Sequence, residues 1–85
     1  MQETVNYTDL RWPEIQAYAR KGAIVLLPVG QIEEHGPHLP VGTDCHISTA
    51  VAEAVAKEAS KELPVLVLPT LWTGYSGRDL FNWPG

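Results

Sequence analysis

Hydrophobic positions fall into four blocks whose periods differ, and each period predicts an element. "TDLRWPEIQAYARK", Thr8 to Lys21, places Trp12, Ile15 and Ala19 three to four apart, the spacing of one helix face, with Thr8 as a cap and Gly22 as a stop. Pro13 fits only a first turn, where a missing N–H costs little, so regular helix is expected from about Trp12. "AIVLLPV", Ala23 to Val29, is apolar without alternation and rich in branched residues, which suits the interior of a parallel sheet covered on both faces. "DCHISTAVAEAVAKEASKE", Asp44 to Glu62, carries the clearest helical period. Ile47, Ala50, Val51, Ala54 and Val55 form one stripe, Glu53, Lys57 and Lys61 face away, and Thr43 is the expected cap. "VLVLP", Val65 to Pro69, reads as a second buried strand.

The order is helix, strand, loop, helix, strand, loop. Two buried-type strands separated by one helix make a βαβ unit with a right-handed crossover, and the fold class is α/β. The loop after the first strand then lies beyond its carboxyl end, where open α/β sheets place their ligands. A sheet of two parallel strands would leave both as apolar edges. Residues 1–85 are therefore expected to be the amino-terminal portion of a larger domain. The alternative is a small complete protein that buries the same surfaces in an oligomer.

Composition narrows the function. Six Lys and Arg against ten Asp and Glu give a net charge of -4 with no basic cluster, which argues against nucleic-acid binding. The apolar run Ala23 to Val29 is too short to span a bilayer and contains Pro28, and "MQETVNYTDLRW" lacks the basic and apolar regions of a signal peptide. A single cysteine, Cys45, excludes an internal disulfide and fits a reducing compartment. The expected location is cytoplasmic.

Candidate chemistry is concentrated in "QIEEHGPHLPVGTDCH", Gln31 to His46. Glu33 and His35 are one residue apart, so an extended backbone sends both side chains to the same side, offering one oxygen and one nitrogen to a common centre. Asp44 stands at the start of the long helix, where unpaired N–H groups favour a carboxylate. Gly36, Pro37, Pro40 and Gly42 restrict the intervening chain to a few turns that would bring Asp44 back over the other two. These three fit the first half of a two-metal set, with Asp44 as the bridge, and further ligands are needed to complete it. Glu34 points away from Glu33 and would orient a neighbour. His38 is expected beside the ligands or in loop packing, His46 toward solvent, and Cys45 is expected to be a small buried residue.

The segments "LLPVG", "EEHGPHLPVGTD" and "TGYSGRDLFNWPG" resemble the creatininase family of metal-dependent amidohydrolases, over essentially the whole chain. The resemblance implies a three-layer α/β/α sandwich with a mainly parallel sheet, of which this chain supplies the amino-terminal βαβ part. It also implies homo-oligomers, often hexamers, and two divalent ions, zinc or manganese with iron as a third candidate. Carried over by motif, Glu33 is a ligand of one ion, His35 of the other and Asp44 the bridge. The remaining ligands and the acid/base group belong to later segments. Two departures fall beside the metals, Gln31 for the usual serine and Glu34 for the usual glutamine. Arg78 and Asp79 stand where a Glu-His pair is usual, and Asn82 and Trp83 alter the approach to Pro84.

The expected function is a metal-dependent hydrolase of a cyclic amide, formamide or related polar ring, acting through a metal-bridging water, with the isolated 85 residues inactive. The alternative is a non-catalytic truncated or split-enzyme subunit that pairs with a complementary carboxyl-terminal chain. Glu34, His38, Ser76, Arg78, Asp79 and Trp83 are candidates for the substrate pocket or for support of the ligands. Arg78 and Asp79 present a donor fork and an acceptor that would suit a hydroxylated or acidic ring better than creatinine, or hold the loop as a structural pair. Trp72, Tyr75 and Trp83 would wall the pocket, with packing or a subunit interface as the alternative for Trp72 and Trp83.

Overall fold

The computed structural model describes residues 4–75. A single 3-10 turn, Tyr7–Asp9, precedes four elements: α1 (Trp12–Arg20), β1 (Ile24–Leu26), α2 (Thr43–Ala59) and β2 (Val65–Val67). β1 and β2 pair in parallel, with Ile24 opposite Val65, Val25 opposite Leu66 and Leu26 opposite Val67, so the βαβ unit expected from the sequence is present.

α1 begins at Trp12 because Pro13 fits its first turn, and the Arg11 N–H donates to Glu14 Oε1 at 3.0 Å. Its end is set by glycine. Gly22 adopts φ +73°, and the chain reverses as Gly22 N donates to Ala19 O and Ala23 N to Tyr18 O, satisfying carbonyls that the helix leaves open. The face expected from the sequence is only partly used, since Trp12 and Ala19 are exposed and Ile15 is half-buried.

Both strands are shorter than their apolar runs, because Pro28 and Pro69 have no N–H to give to a ladder. Pairing resumes beyond the prolines. Leu71 N donates to Pro28 O and Gly30 N to Leu71 O, each at 2.9 Å, so Leu71 bridges to Val29 past the end of the sheet.

The two strands differ in cover. On its far side from β1, β2 meets the amino-terminal segment, where Asn6 bridges to Val67 and Val67 N donates to Val5 O at 2.6 Å. β2 is therefore not the edge expected from the sequence. Val65, Leu66 and Val67 are 2, 1 and 3% exposed, whereas Ile24 and Val25 in β1 are 49 and 45% exposed.

α2 packs on β2 through Ala52, Ala56 and Ala59, which join Val5, Val65, Val67 and Leu26 in the core. This corrects the expected face. Ile47, Ala50, Val51, Ala54 and Val55 are exposed, because alanine side chains allow the helix to approach the strand and the larger residues point elsewhere. Thr43 lies inside the helix, with Gly42 as the cap residue. The Cα radius of gyration is 16.0 Å, which reflects an elongated path with extents of 48 × 21 × 17 Å. A compact chain of this length would have roughly 11–12 Å.

Candidate metal centre

The loop between β1 and α2 is folded by a few local bonds. Glu33 N donates to Val41 O at 3.1 Å, closing the loop at its neck. Within it, Gly36 adopts φ +79°, and its N–H donates to Glu34 Oε1 at 2.9 Å. At the far end Pro40 O accepts from the Thr43 backbone at 3.2 Å and from its hydroxyl at 2.6 Å, which turns the chain into the first turn of α2. The return of Asp44 toward Glu33 and His35 thus has a local cause at each step.

Gly30 makes the closest approach. A Cβ built there would lie 2.7 Å from the backbone N and Cα of Cys45 and from its Sγ, so only glycine lets α2 begin where it does. Cys45 is half-buried against this backbone rather than in the core.

Glu33, His35 and Asp44 each bring one donor atom into a group whose members lie within 4.8 Å of one another. His35 Nε2 stands 3.3 Å from Asp44 Oδ1 and 3.8 Å from Glu33 Oε1. That nitrogen is shielded from solvent and makes no hydrogen bond among the described residues. Such an atom is costly to leave unpaired, by about 1–3 kcal/mol. The two carboxylates also bring an oxygen each within 4.8 Å of the other, and like charges so placed repel.

A divalent cation answers both costs. Ligand bonds of about 2.0–2.2 Å place neighbouring donors roughly 3–3.6 Å apart, so the 3.3 Å between His35 Nε2 and Asp44 Oδ1 already matches two ligands of one ion, while Glu33 Oε1, 3.8 Å from the imidazole, stands just outside that range. Imidazole nitrogens and carboxylate oxygens are also donors that zinc and manganese accept. The residues present therefore fit such an ion.

Of the other expected site residues, Glu34 spends its carboxylate on the Gly36 turn, and His38 lies exposed over Gly36, its ring 3.2 Å from where a Cβ would sit. His46 is exposed, beside Gly42. Trp72 and Tyr75 are also exposed. Ser76, Arg78, Asp79 and Trp83 lie outside the described residues.

A groove of about 420 Å³ opens on the Asp44 side, lined by Val29, Gly30, Gln31, Asp44, Ile47 and Ser48. Ser48 was not singled out from the sequence, and Ile47 was read there only as part of the apolar stripe. Helical spacing gives the missing signal for Ser48, which follows Asp44 by four residues and so shares its face.

The family model described as creatinine amidohydrolase matches residues 8–85. The creatinine amidohydrolase of Pseudomonas putida is 34% identical over 80 residues, 93% of this chain and 29% of the relative. The mycofactocin precursor peptide peptidase of Mycobacterium tuberculosis is 42% identical over 60 residues, 64% of this chain and 24% of the relative. The 3-dehydro-scyllo-inosose hydrolase of Thermotoga maritima is 28% identical over 81 residues, 95% of this chain and 25% of the relative. A manganese creatininase superposes with a TM-score of 0.85 at 32% identity, covering 98% of this chain and 33% of that one. A creatininase variant of zinc–zinc type gives 0.80 at 33% identity, covering 92% and 29%. The chain thus spans about a quarter to a third of the length of the proteins it matches.

Proposed function

Because the chain belongs to the creatininase family, we propose that it forms the amino-terminal part of a metal-dependent hydrolase acting on a cyclic amide, formamide or related polar ring. The observation that carries this reading is the convergence of Glu33, His35 and Asp44 around a solvent-shielded imidazole nitrogen that has no hydrogen-bond partner among the described residues. In it Glu33 and His35 serve different ions and Asp44 joins the two, with zinc or manganese as the metal and iron as a third candidate. The relatives known in manganese and zinc–zinc forms support that choice.

Two divalent ions, when bound, supply Lewis acidity toward a carbonyl oxygen and lower the pKa of water to near neutrality. The chain's own residues hold and orient. Asp44 is fixed in the first turn of α2, where the helix N-terminus favours its negative charge by about 0.3–1 kcal/mol. The adjoining groove offers apolar walls in Val29 and Ile47 and polar groups in Gln31 and Ser48, suited to a small ring with polar substituents. Further ligands and the acid/base group come from residues beyond those described. The assembly we propose is a cytoplasmic homo-oligomer, a hexamer for instance.

Substrate choice is assigned to Arg78 and Asp79, which favour a hydroxylated or acidic ring over creatinine. The test compares kcat/KM of the full-length protein and its Arg78→Met variant for creatinine, N-formyl pyrimidines and inosose-type cyclic ketones. We expect creatinine to be a poor substrate and the variant to lose activity selectively toward one charged or polyol compound. Efficient creatinine hydrolysis by the unmodified protein contradicts the substrate assignment, and uniform loss with lowered stability assigns Arg78 to the scaffold.

A further inference from the structure

We propose that Gly30 is a positioning residue for the metal centre: its bare backbone seats the first turn of α2, and that seating sets the distance between Asp44 and His35. The inference rests on the reading of Glu33, His35 and Asp44 as metal ligands. It concerns a residue that offers no ligand atom of its own.

Three observations carry it. The space a Cβ would need at Gly30 is already filled by Cys45 N, Cα and Sγ at 2.7 Å, and two of those atoms are backbone that no rotamer change can remove. Cys45 directly follows Asp44 in the first turn of α2, so whatever displaces one displaces the other. Gly30 itself is tied to Leu71, because its N–H donates to Leu71 O at 2.9 Å while Leu71 N donates to Pro28 O at 2.9 Å.

The direction of movement follows. With Gly30 pinned to Leu71, an added methyl group must push α2 and not the strand end. Farther along, α2 is anchored by Ala52, Ala56 and Ala59 against the core and by the hydrogen bond between the Thr49 and Thr70 hydroxyls. The helix therefore pivots open at its amino-terminal end, where Asp44 sits. A real Cβ essentially never comes closer than 3.0 Å to such atoms and ordinary van der Waals contact begins at 3.4 Å, so 2.7 Å must grow by at least 0.3 Å (3.0 minus 2.7), and by 0.7 Å (3.4 minus 2.7) for an ordinary contact. Metal–ligand distances tolerate about 0.2 Å. The required shift exceeds the tolerance, and His35 and Asp44, now 3.3 Å apart, would no longer close on one ion.

The test uses the full-length protein stripped of metal. Co²⁺ binding is followed by visible absorption and Zn²⁺ affinity by competition titration, alongside the melt of the metal-free protein. Gly30→Ala should weaken binding by about 10–100-fold, the range for residues that orient ligands, and change the Co²⁺ spectrum while the metal-free protein still melts cooperatively. Gly74→Ala is the control, since a Cβ there meets nothing within 4 Å among the described residues, and it should bind like the unmodified protein. A folded Gly30→Ala protein with unchanged affinity and spectrum overturns the inference.

Should Gly30→Ala fail to fold, the pair Cys45→Gly and Gly30→Ala/Cys45→Gly decides. The second substitution removes Sγ but leaves both backbone atoms, so the double variant should bind more weakly than Cys45→Gly alone. Equal affinity of those two proteins overturns the backbone argument. If the unmodified protein binds no Co²⁺, or Asp44→Ala binds it equally well, the metal reading itself fails, a result distinct from any obtained at Gly30.

Discussion

β1 and β2 are written in nearly the same residues, Ile-Val-Leu and Val-Leu-Val, yet one strand is half open and the other enclosed. The difference lies in their neighbours. β2 has β1 on one side, the Val5–Asn6 segment on the other and the alanine face of α2 above it. β1 has a partner on one side only among the described residues. The candidate metal centre extends from the end of this more open strand, so the chemistry of the molecule sits at the margin of its core. Enclosure by small residues covers Val65 and Val67 of β2, and the open margin leaves the loop room to bring Glu33, His35 and Asp44 together.

The comparison can be broken most forcefully at Leu66. It is 1% exposed, so Leu66→Ala should cost about 2–5 kcal/mol in denaturant unfolding. Val25, its partner in register, is 45% exposed, and Val25→Ala should cost about 1 kcal/mol or less. Equal costs would mean that the assembled protein covers β1 as fully as β2, and the contrast would then belong to the described residues alone.

A smaller effect is expected at the periphery, on α1. The Glu14 carboxyl is held below the ordinary glutamate range, first by the hydrogen bond from the Arg11 backbone N–H and then by the Arg11 side chain. A lowered pKa in the folded state adds stability above the ordinary range that is lost as pH falls through the lowered value. Melting Glu14→Gln and the unmodified protein across acidic pH should show a slight advantage for the unmodified protein near neutrality that closes on acidification. An advantage that widened toward acid would contradict the assigned cause.

Much of this architecture was legible in the sequence. The helix over Thr43–Ala59 follows from its apolar period, the start of α1 from Pro13, and the two strands from branched runs ended by prolines. Convergence of Glu33, His35 and Asp44 was also legible, because glycines and prolines restrict the intervening turns and Asp44 stands at a helix start.

What escaped depends on partners distant in sequence. Nothing periodic marks Val5, which encloses β2 through a pairing with Val67 sixty-two positions away (67 minus 5). The broad stripe of Ile47, Val51 and Val55 gives the stronger hydrophobic pattern on α2. Packing instead used Ala52, Ala56 and Ala59, because close approach to a strand selects for size and not for apolar area alone. The fit of Gly30 against Cys45 is likewise a fact of distance that no local pattern encodes.

The central claim is that this chain contributes Glu33, His35 and Asp44 to a two-ion centre, and elemental analysis of the purified full-length protein tests it most directly. Divalent metal per chain is measured for the unmodified protein, Asp44→Ala and His46→Ala. The account predicts two ions in the unmodified protein, loss of both in Asp44→Ala because that carboxylate joins them, and nearly unchanged content in His46→Ala, whose imidazole is exposed beside Gly42. An Asp44→Ala protein that retained its full complement of metal would contradict the claim.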